Sequence, residues 1–307
     1  MNKDLMQATA RLLEAAEHTG LTLDGETNLP YGVQLTFRRS NDTAAVNLYF
    51  SAKKGLSAVM NGKKTSPLHA VLQALTDDLV RPRLHEWTRW MGTDESGKGD
   101  YFGPLVTSGF VADDGALGIL RELQVQDCKR MTDAAVRRAG AELERRCARR
   151  CETIALLPAK YNALYGDFRS QGRNLNDLLA WMHARVIANL AERFTCEGVI
   201  IDRFAHPNRI KKALRTSHAL PLVGVEKGER DPAVAAASVL ARYHFLLTMD
   251  DLSASFGMTL PKGAGAPVDS AAAAFVRQFS FDRLGDAAKL HFANTNKLPL
   301  GAAGRAL

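Results

Sequence analysis

Gly92-Thr93-Asp94-Glu95-Ser96-Gly97-Lys98-Gly99-Asp100-Tyr101-Phe102-Gly103-Pro104 is the stretch that decides how this chain of 307 residues is read. Two neighbouring acids follow an aromatic and apolar run at 87–92 and open into a glycine-rich turn that carries a lysine. The turn then feeds a second extended run at 105–110. Adjacent carboxylates repel each other, so a strand end that carries two of them favours a shared cation. Successive strand residues face opposite sides. A divalent ion could therefore take Asp94 directly while Glu95 reaches it around a bulge or through a neighbouring turn. The glycines let the backbone approach a phosphate or a sugar closely. A bare Asp-Glu pair is most often an ordinary acidic turn, but the complete string is far more specific.

Composition sets the outer limits. A chain of this length holds one large core or two domains. A hydrophobic content of 46% suits a globular protein, and no apolar run approaches the roughly 18 residues of a membrane span. The first twenty residues mix acids and bases on a helical pattern and lack a signal-peptide core, so cytoplasmic residence is the expectation, with no membrane partner. A net charge of +7 favours a polyanionic partner. Four cysteines are too few and too scattered for a disulfide framework. Cys147 and Cys151 sit four apart on what reads as a helix, and reduced structural thiols are expected there.

Along the chain, residues 1–80 read as a small separate unit. A helix with apolar Leu5, Leu12, Leu13 and Ala16 precedes a turn-rich segment at 24–30. Strand-like runs follow at 32–38, 44–51 and 56–60, then a second helix near 68–79. Arg81-Pro82-Arg83 marks a linker over 81–86, because proline breaks helix and disfavours it in the preceding residue. From residue 87 the pattern alternates. Strands are expected at 88–93, 105–110, 153–157, 198–202 and 222–225, and helices near 116–123, 133–151, 176–194 and 232–249. That alternation supports a mixed α/β sheet over 87–307.

The opening string closely resembles the first active-site motif of the type 2 ribonucleases H, and its Asp-Tyr-Phe-Gly-Pro continuation resembles the HIII branch. Further matches run along most of the chain: Lys160-Tyr161-Asn162, Asn174-Leu175-Asn176, Ile201-Asp202-Arg203-Phe204-Ala205, Ala235-Ala236-Ala237-Ser238 and Leu290-His291-Phe292-Ala293-Asn294-Thr295. The resemblance implies an α/β ribonuclease H-like catalytic domain, a mixed sheet flanked by helices, preceded by a small α+β TATA-binding-protein-like domain that binds substrate. It implies a monomeric endoribonuclease that hydrolyses the RNA strand of RNA/DNA hybrids and leaves 5′-phosphate and 3′-hydroxyl ends. Two divalent ions, Mg²⁺ or Mn²⁺, would be held by four acids.

Asp94 and Glu95 supply the first pair. Asp202 supplies the third: a sole carboxylate after Val199-Ile200-Ile201 is expensive to bury without compensation. The fourth is Glu229, which follows Lys227-Gly228 as the family residue does. The segment from Glu229 to Ser238 is one residue shorter than the family spacing, which keeps Asp231 open as the alternative. Asp231 before Pro232 also reads as a helix N-cap.

Gly97, Lys98 and Gly99 resemble the segment whose backbone recognises ribose 2′-hydroxyls, the physical means of choosing RNA over DNA. Lys129 and Lys227 are candidate phosphate contacts, as are Lys53, Lys54, Lys63 and Lys64 beside Tyr49 and Phe50 in the first unit. Trp181 and His183 are assigned to packing, and His291 to a hydrogen-bonded core position. Two other readings stand beside this one. The first is cleavage at single ribonucleotides in DNA, as in the HII branch, whose junction-sensing tyrosine finds no counterpart after Tyr243. The second is a non-catalytic hybrid-binding protein.

Overall fold

The structure is a computed structural model that describes residues 2–52, 55–63, 65–80, 84–125, 131–202, 207–214, 220–226 and 228–298. The chain divides into two compact units, Met1–Glu86 and Trp87–Leu307.

In the first unit, α1 (Lys3–His18) starts where the Asn2 side chain accepts the Asp4 N–H at 2.7 Å. Its stripe Leu5, Ala8, Leu12 and Ala16 is buried. Four strands follow: β1 (Thr22–Leu29), β2 (Gly32–Arg39), β3 (Asp42–Ser51) and β4 (Gly55–Gly62). They form an antiparallel sheet in that order. α2 (Pro67–Val80) closes the unit. Val33, Leu35, Phe37, Ala44, Val46 and Leu48 alternate inward against Leu5, Leu12, Leu68 and Leu72. Residues between them, such as Gln34 and Asn47, look outward, and their side-chain amides meet at 2.8 Å. The segment 24–30, expected as turn, is mostly strand. β1 lies at the sheet edge and is exposed along nearly all its length, so its polar residues bury nothing.

The second unit is built on β5 (Trp90–Ser96), β6 (Leu105–Ala112), β7 (Cys151–Leu156), β8 (Gly198–Asp202) and β9 (Leu222–Val225). Their order is β7-β6-β5-β8-β9. β5 runs antiparallel to β6 and parallel to β8. Between β6 and β7 lie α3 (Asp114–Glu122) and α4 (Asp133–Cys147); between β7 and β8 lie α5 (Pro158–Ser170) and α6 (Leu175–Ala191). α7 (Pro207–Ala213) precedes β9, and α8 (Pro232–Ser255), α9 (Ala266–Phe279) and α10 (Ala293–Asn296) follow it.

β6 is buried at every residue because helices cover both faces of the sheet. Two glycines permit the close packing. A Cβ on Gly92 would sit 2.2 Å from the Val234 backbone nitrogen of α8, and one on Gly109 would sit 2.5 Å from Val186 of α6. Among the described residues, no helix is long and apolar enough to cross a membrane.

Boundaries differ from expectation in places with identifiable causes. The helix expected over 133–151 ends at Cys147, and Cys151 opens β7. Arg150 is drawn to β6: it donates to the Val111 carbonyl at 3.4 Å and pairs with Asp113 at 2.9 Å. The two cysteines therefore do not share a helix. α5 and α9 were not anticipated, although each has proline in its first turn, where the missing N–H costs nothing.

Candidate active site

The two acids of the opening motif leave β5 on opposite faces. On the α8 side, Trp90 Nε1 donates to both oxygens of Asp231 at 3.0 and 3.1 Å. Two residues on, Gly92 touches the α8 backbone, and two further on, Asp94 is hydrogen-bonded to Ser238 of α8. On the α6 side, Met91 packs with Ala184 and Ile187. Thr93 Oγ1 lies 2.8 Å from His183 Nδ1, and Glu95 Oε2 lies 3.3 Å from Nε2 of the same fully buried ring. The other Glu95 oxygen is 3.8 Å from Lys98 Nζ. Within the pair, the Glu95 N–H donates to Asp94 Oδ1 at 2.8 Å.

Burial pushes the Asp94 carboxyl well above the usual carboxylate range, and the neighbouring charge of Glu95 adds to the rise. Asp202 adds a smaller push, while the Ser238 hydroxyl and the Glu95 N–H oppose it. Asp202 ends β8, which pairs in parallel with β5 through Thr93 and Ile201. Its Oδ1 accepts the Gly228 N–H at 3.0 Å. A Cβ at Gly228 would lie 2.8 Å from the Asp202 Cα, so only glycine lets the short 3₁₀ turn Gly228–Arg230 sit on the strand end. Glu229, half-buried, is the next residue of that turn.

Asp231 is differently employed. It is buried, caps α8 by accepting the Ala233 and Val234 N–H groups at 2.9 and 3.3 Å, and holds the Trp90 indole. A carboxylate with these partners has little capacity left for an ion.

The structure thus brings Asp94, Glu95 and Asp202 to one end of the sheet, with Glu229 on the turn beside Asp202. Among the described residues, no three His, Cys, Asp or Glu side chains lie close enough to hold an ion as they stand. Glu95 is tied to the α6 face and Asp94 to the α8 face, which accounts for the separation.

The glycine turn follows directly. Gly97 has φ +88°, and a Cβ there would fall 2.1 Å from the Pro104 carbonyl oxygen. Its own carbonyl accepts the Asp100 N–H at 3.3 Å. Gly99 is exposed, with open space where a Cβ would be. Lys129 and Lys227 lie outside the described residues, as do Lys53, Lys54, Lys64 and the segment 81–83.

His183, assigned to packing, is indeed fully buried on α6, but it also reaches Glu95; Ser238, read only as the end of the alanine-rich match, bonds Asp94 from α8. The available signal was a lone imidazole and a lone hydroxyl in otherwise apolar stretches. His291 corrects a second assignment. Its Nδ1 meets the Tyr161 hydroxyl at 3.2 Å, but the residue lies at the surface, not in the core.

The family model described as Ribonuclease HII matches residues 91–295, a span that holds every element of the site. The chain is 35% identical over 279 residues to the ribonuclease HIII of Chlamydia pneumoniae, covering 86% of this chain and 88% of that one. It is 38% identical over 214 residues to the ribonuclease HIII of Bacillus mycoides, covering 67% of each. Among solved structures, Bst-RNase HIII in complex with Mn²⁺ superposes with a TM-score of 0.65 at 27% identity, covering 96% of this chain and 95% of that one. With strand-end acids, a glycine turn and a mixed five-stranded sheet in one matched span, the chain belongs to the ribonuclease HII family, in its ribonuclease HIII branch, and is an enzyme of the ribonuclease H class.

Proposed function

We propose that this chain is an endonuclease that hydrolyses the RNA strand of RNA/DNA hybrids with two divalent ions, Mg²⁺ or Mn²⁺, leaving 5′-phosphate and 3′-hydroxyl ends. The observation that carries the reading is the crowding of Asp94 by Glu95 and Asp202 at neighbouring strand ends.

The donor set suits a hard cation, since every candidate ligand atom is a carboxylate oxygen. The like charges that raise Asp94 are what a cation would relieve. Glu95 Oε2 is buried without a well-formed hydrogen bond, consistent with a group that serves a further ligand. Asp94, Glu95, Asp202 and Glu229 would hold the ions. Bound there, divalent ions supply an activated water and stabilise the charge on the leaving oxygen.

The protein's own groups do the rest. Ser238 and the Glu95 N–H hold Asp94 in place, and Thr93 orients the His183 ring beside Glu95. The Gly97–Gly99 turn presents backbone to the ribose 2′-hydroxyl, and Lys98 offers charge to a phosphate. The outward face of the first unit, with Gln34, Asn47 and Tyr49, supplies remote binding in the manner of a TATA-binding-protein-like domain. Cleavage of a uniform hybrid, compared with a duplex containing one ribonucleotide, tests the reading in Mg²⁺ and in Mn²⁺. Metal-dependent cutting of the uniform hybrid at many sites is expected. Cutting of the single-ribonucleotide duplex alone would replace this reading with the HII-type one.

A further inference from the structure

Lys289 is 1% exposed, yet no element of the proposed chemistry uses it. Its ammonium donates to the Gly103 carbonyl at 2.6 Å, to Pro104 at 3.3 Å and to Phe102 at 3.5 Å. Three donors thus meet three successive carbonyls of the loop that follows the glycine turn. The backbone around it repeats the connection. The Lys289 N–H donates to the Tyr101 carbonyl at 2.8 Å, and the Gly103 N–H donates to Ala287 at 2.9 Å. Phe102 bridges Ala288 in antiparallel fashion. A second strap lies further along, where Asp100 Oδ1 accepts the Gly263 N–H at 2.6 Å and the Gly263 carbonyl accepts the Tyr101 N–H at 2.8 Å.

The Pro104 carbonyl is the point of transmission. It is the atom on which Gly97 rests, close enough that a Cβ would meet it at 2.1 Å, and it is also an acceptor for Lys289. A lysine 185 residues away in sequence therefore sets the floor beneath the turn that faces substrate. Burying an ammonium is costly, and burial pulls this one down to about 7, with only Asp100 opposing. A methionine or leucine would fill the same space without that cost, so the ammonium has something to do.

We propose that Lys289 is a positioning residue for RNA recognition: by binding the carbonyls of 102–104 it fixes the backbone of the Gly97–Gly99 turn against the ribose. The inference rests on the assignment of that turn to substrate, and the two can fail separately. If wild-type protein does not cleave a hybrid, the functional reading fails. If wild type cleaves and Lys289 variants match it, only this inference fails.

The experiment compares K289M, which keeps the length and loses the donors, with K289Q, which keeps two donors. Each is measured for kcat and KM on a uniform hybrid, for Mn²⁺ affinity by calorimetry, and for amide exchange over residues 97–104. K289M should lose about a hundredfold in kcat/KM, the order expected when a site is displaced by about an ångström. Mn²⁺ affinity should stay within about twofold and exchange across 97–104 should quicken, with K289Q between the two. A folded K289M with wild-type kcat/KM, or one whose Mn²⁺ affinity falls in step with activity, overturns the proposal. So does loss of fold in both variants, which would make the lysine a strut of the core.

Discussion

The two sheets of this chain solve the same packing problem in opposite ways. In the second unit β6 is buried at every position, because α8 and α6 cover the sheet from both sides. In the first unit β3 alternates between buried and half-open residues, and β1 is exposed throughout most of its length. A sheet covered on both faces leaves only its strand ends for chemistry, and there Asp94, Glu95 and Asp202 are found. A sheet covered on one face leaves a broad surface suited to holding a partner rather than transforming it. The two sheets differ in which part of the backbone is accessible: strand ends in one, a whole face in the other.

The strongest way to break the comparison uses one glycine from each sheet. Gly92→Val places its first side-chain carbon 2.2 Å from the α8 backbone and should cost about 3 kcal/mol or more, seen as a large fall in Tm. Gly25→Ala in β1 meets nothing within 4 Å and should stay within about 0.5 kcal/mol of wild type. Equal tolerance at both positions would mean that the β5–α8 contact is looser than described.

At the strand ends, Glu229→Gln should lower kcat by about a hundredfold or more with Tm unchanged, as expected when a group acts on the reacting charge. Asp231→Asn should do the reverse, keeping most activity while losing about 1–2 kcal/mol, because an amide NH2 replaces one of the two buried oxygens that accept the Trp90 indole N–H. If Asp231→Asn abolishes cleavage without a thermal shift, the fourth ligand is Asp231.

A pH-dependent effect follows from Lys289. Its pKa falls from 10.5 to about 7 on folding, so between those values the unfolded chain binds more protons than the native one. Stability from this group therefore rises with pH over that window and is flat below it. The wild-type advantage over K289M should grow by a few kcal/mol between pH 7 and 10.5, read from urea unfolding at each pH. Asp100, Tyr161 and His291 also face the ammonium or lie near it, so the comparison must be made between variants and not within one. A constant difference across the range would show that the lysine stays charged.

On the open sheet, replacing Asn47 and Tyr49 together by alanine should raise KM for a hybrid several-fold with kcat unchanged. Remote contacts supply uniform binding, which appears in KM. A fall in kcat with KM unmoved would contradict the division of labour between the sheets.

Much of this was legible in the residues, and the illegible parts share a cause. Gly198–Asp202 and Leu222–Val225 were read to the residue, because short apolar runs between breakers have few alternatives. The alternation that sends Asp94 and Glu95 to opposite faces follows from strand geometry alone. What sequence reading missed are partners set by distant chain. His183 lies 90 residues from Thr93 and Lys289 lies 185 from Pro104, and periodicity carries no information about such pairs. β1 was mistaken for turn because an exposed edge strand needs no apolar face. The bond from Trp90 to both oxygens of Asp231, 141 residues away, was likewise invisible to pattern reading.

The central claim is that acids at the ends of β5 and β8 cleave the RNA strand of a hybrid with divalent metal. It is tested most directly by the initial rate on a uniform RNA/DNA hybrid, titrated with Mn²⁺ and with Mg²⁺, for wild type, Asp94→Asn and Asp202→Asn. The account predicts a metal-dependent rate for wild type and a loss of at least about a thousandfold in both variants, with Tm preserved. A rate near wild type in either variant, or wild-type cleavage that persists after metal removal, would contradict it.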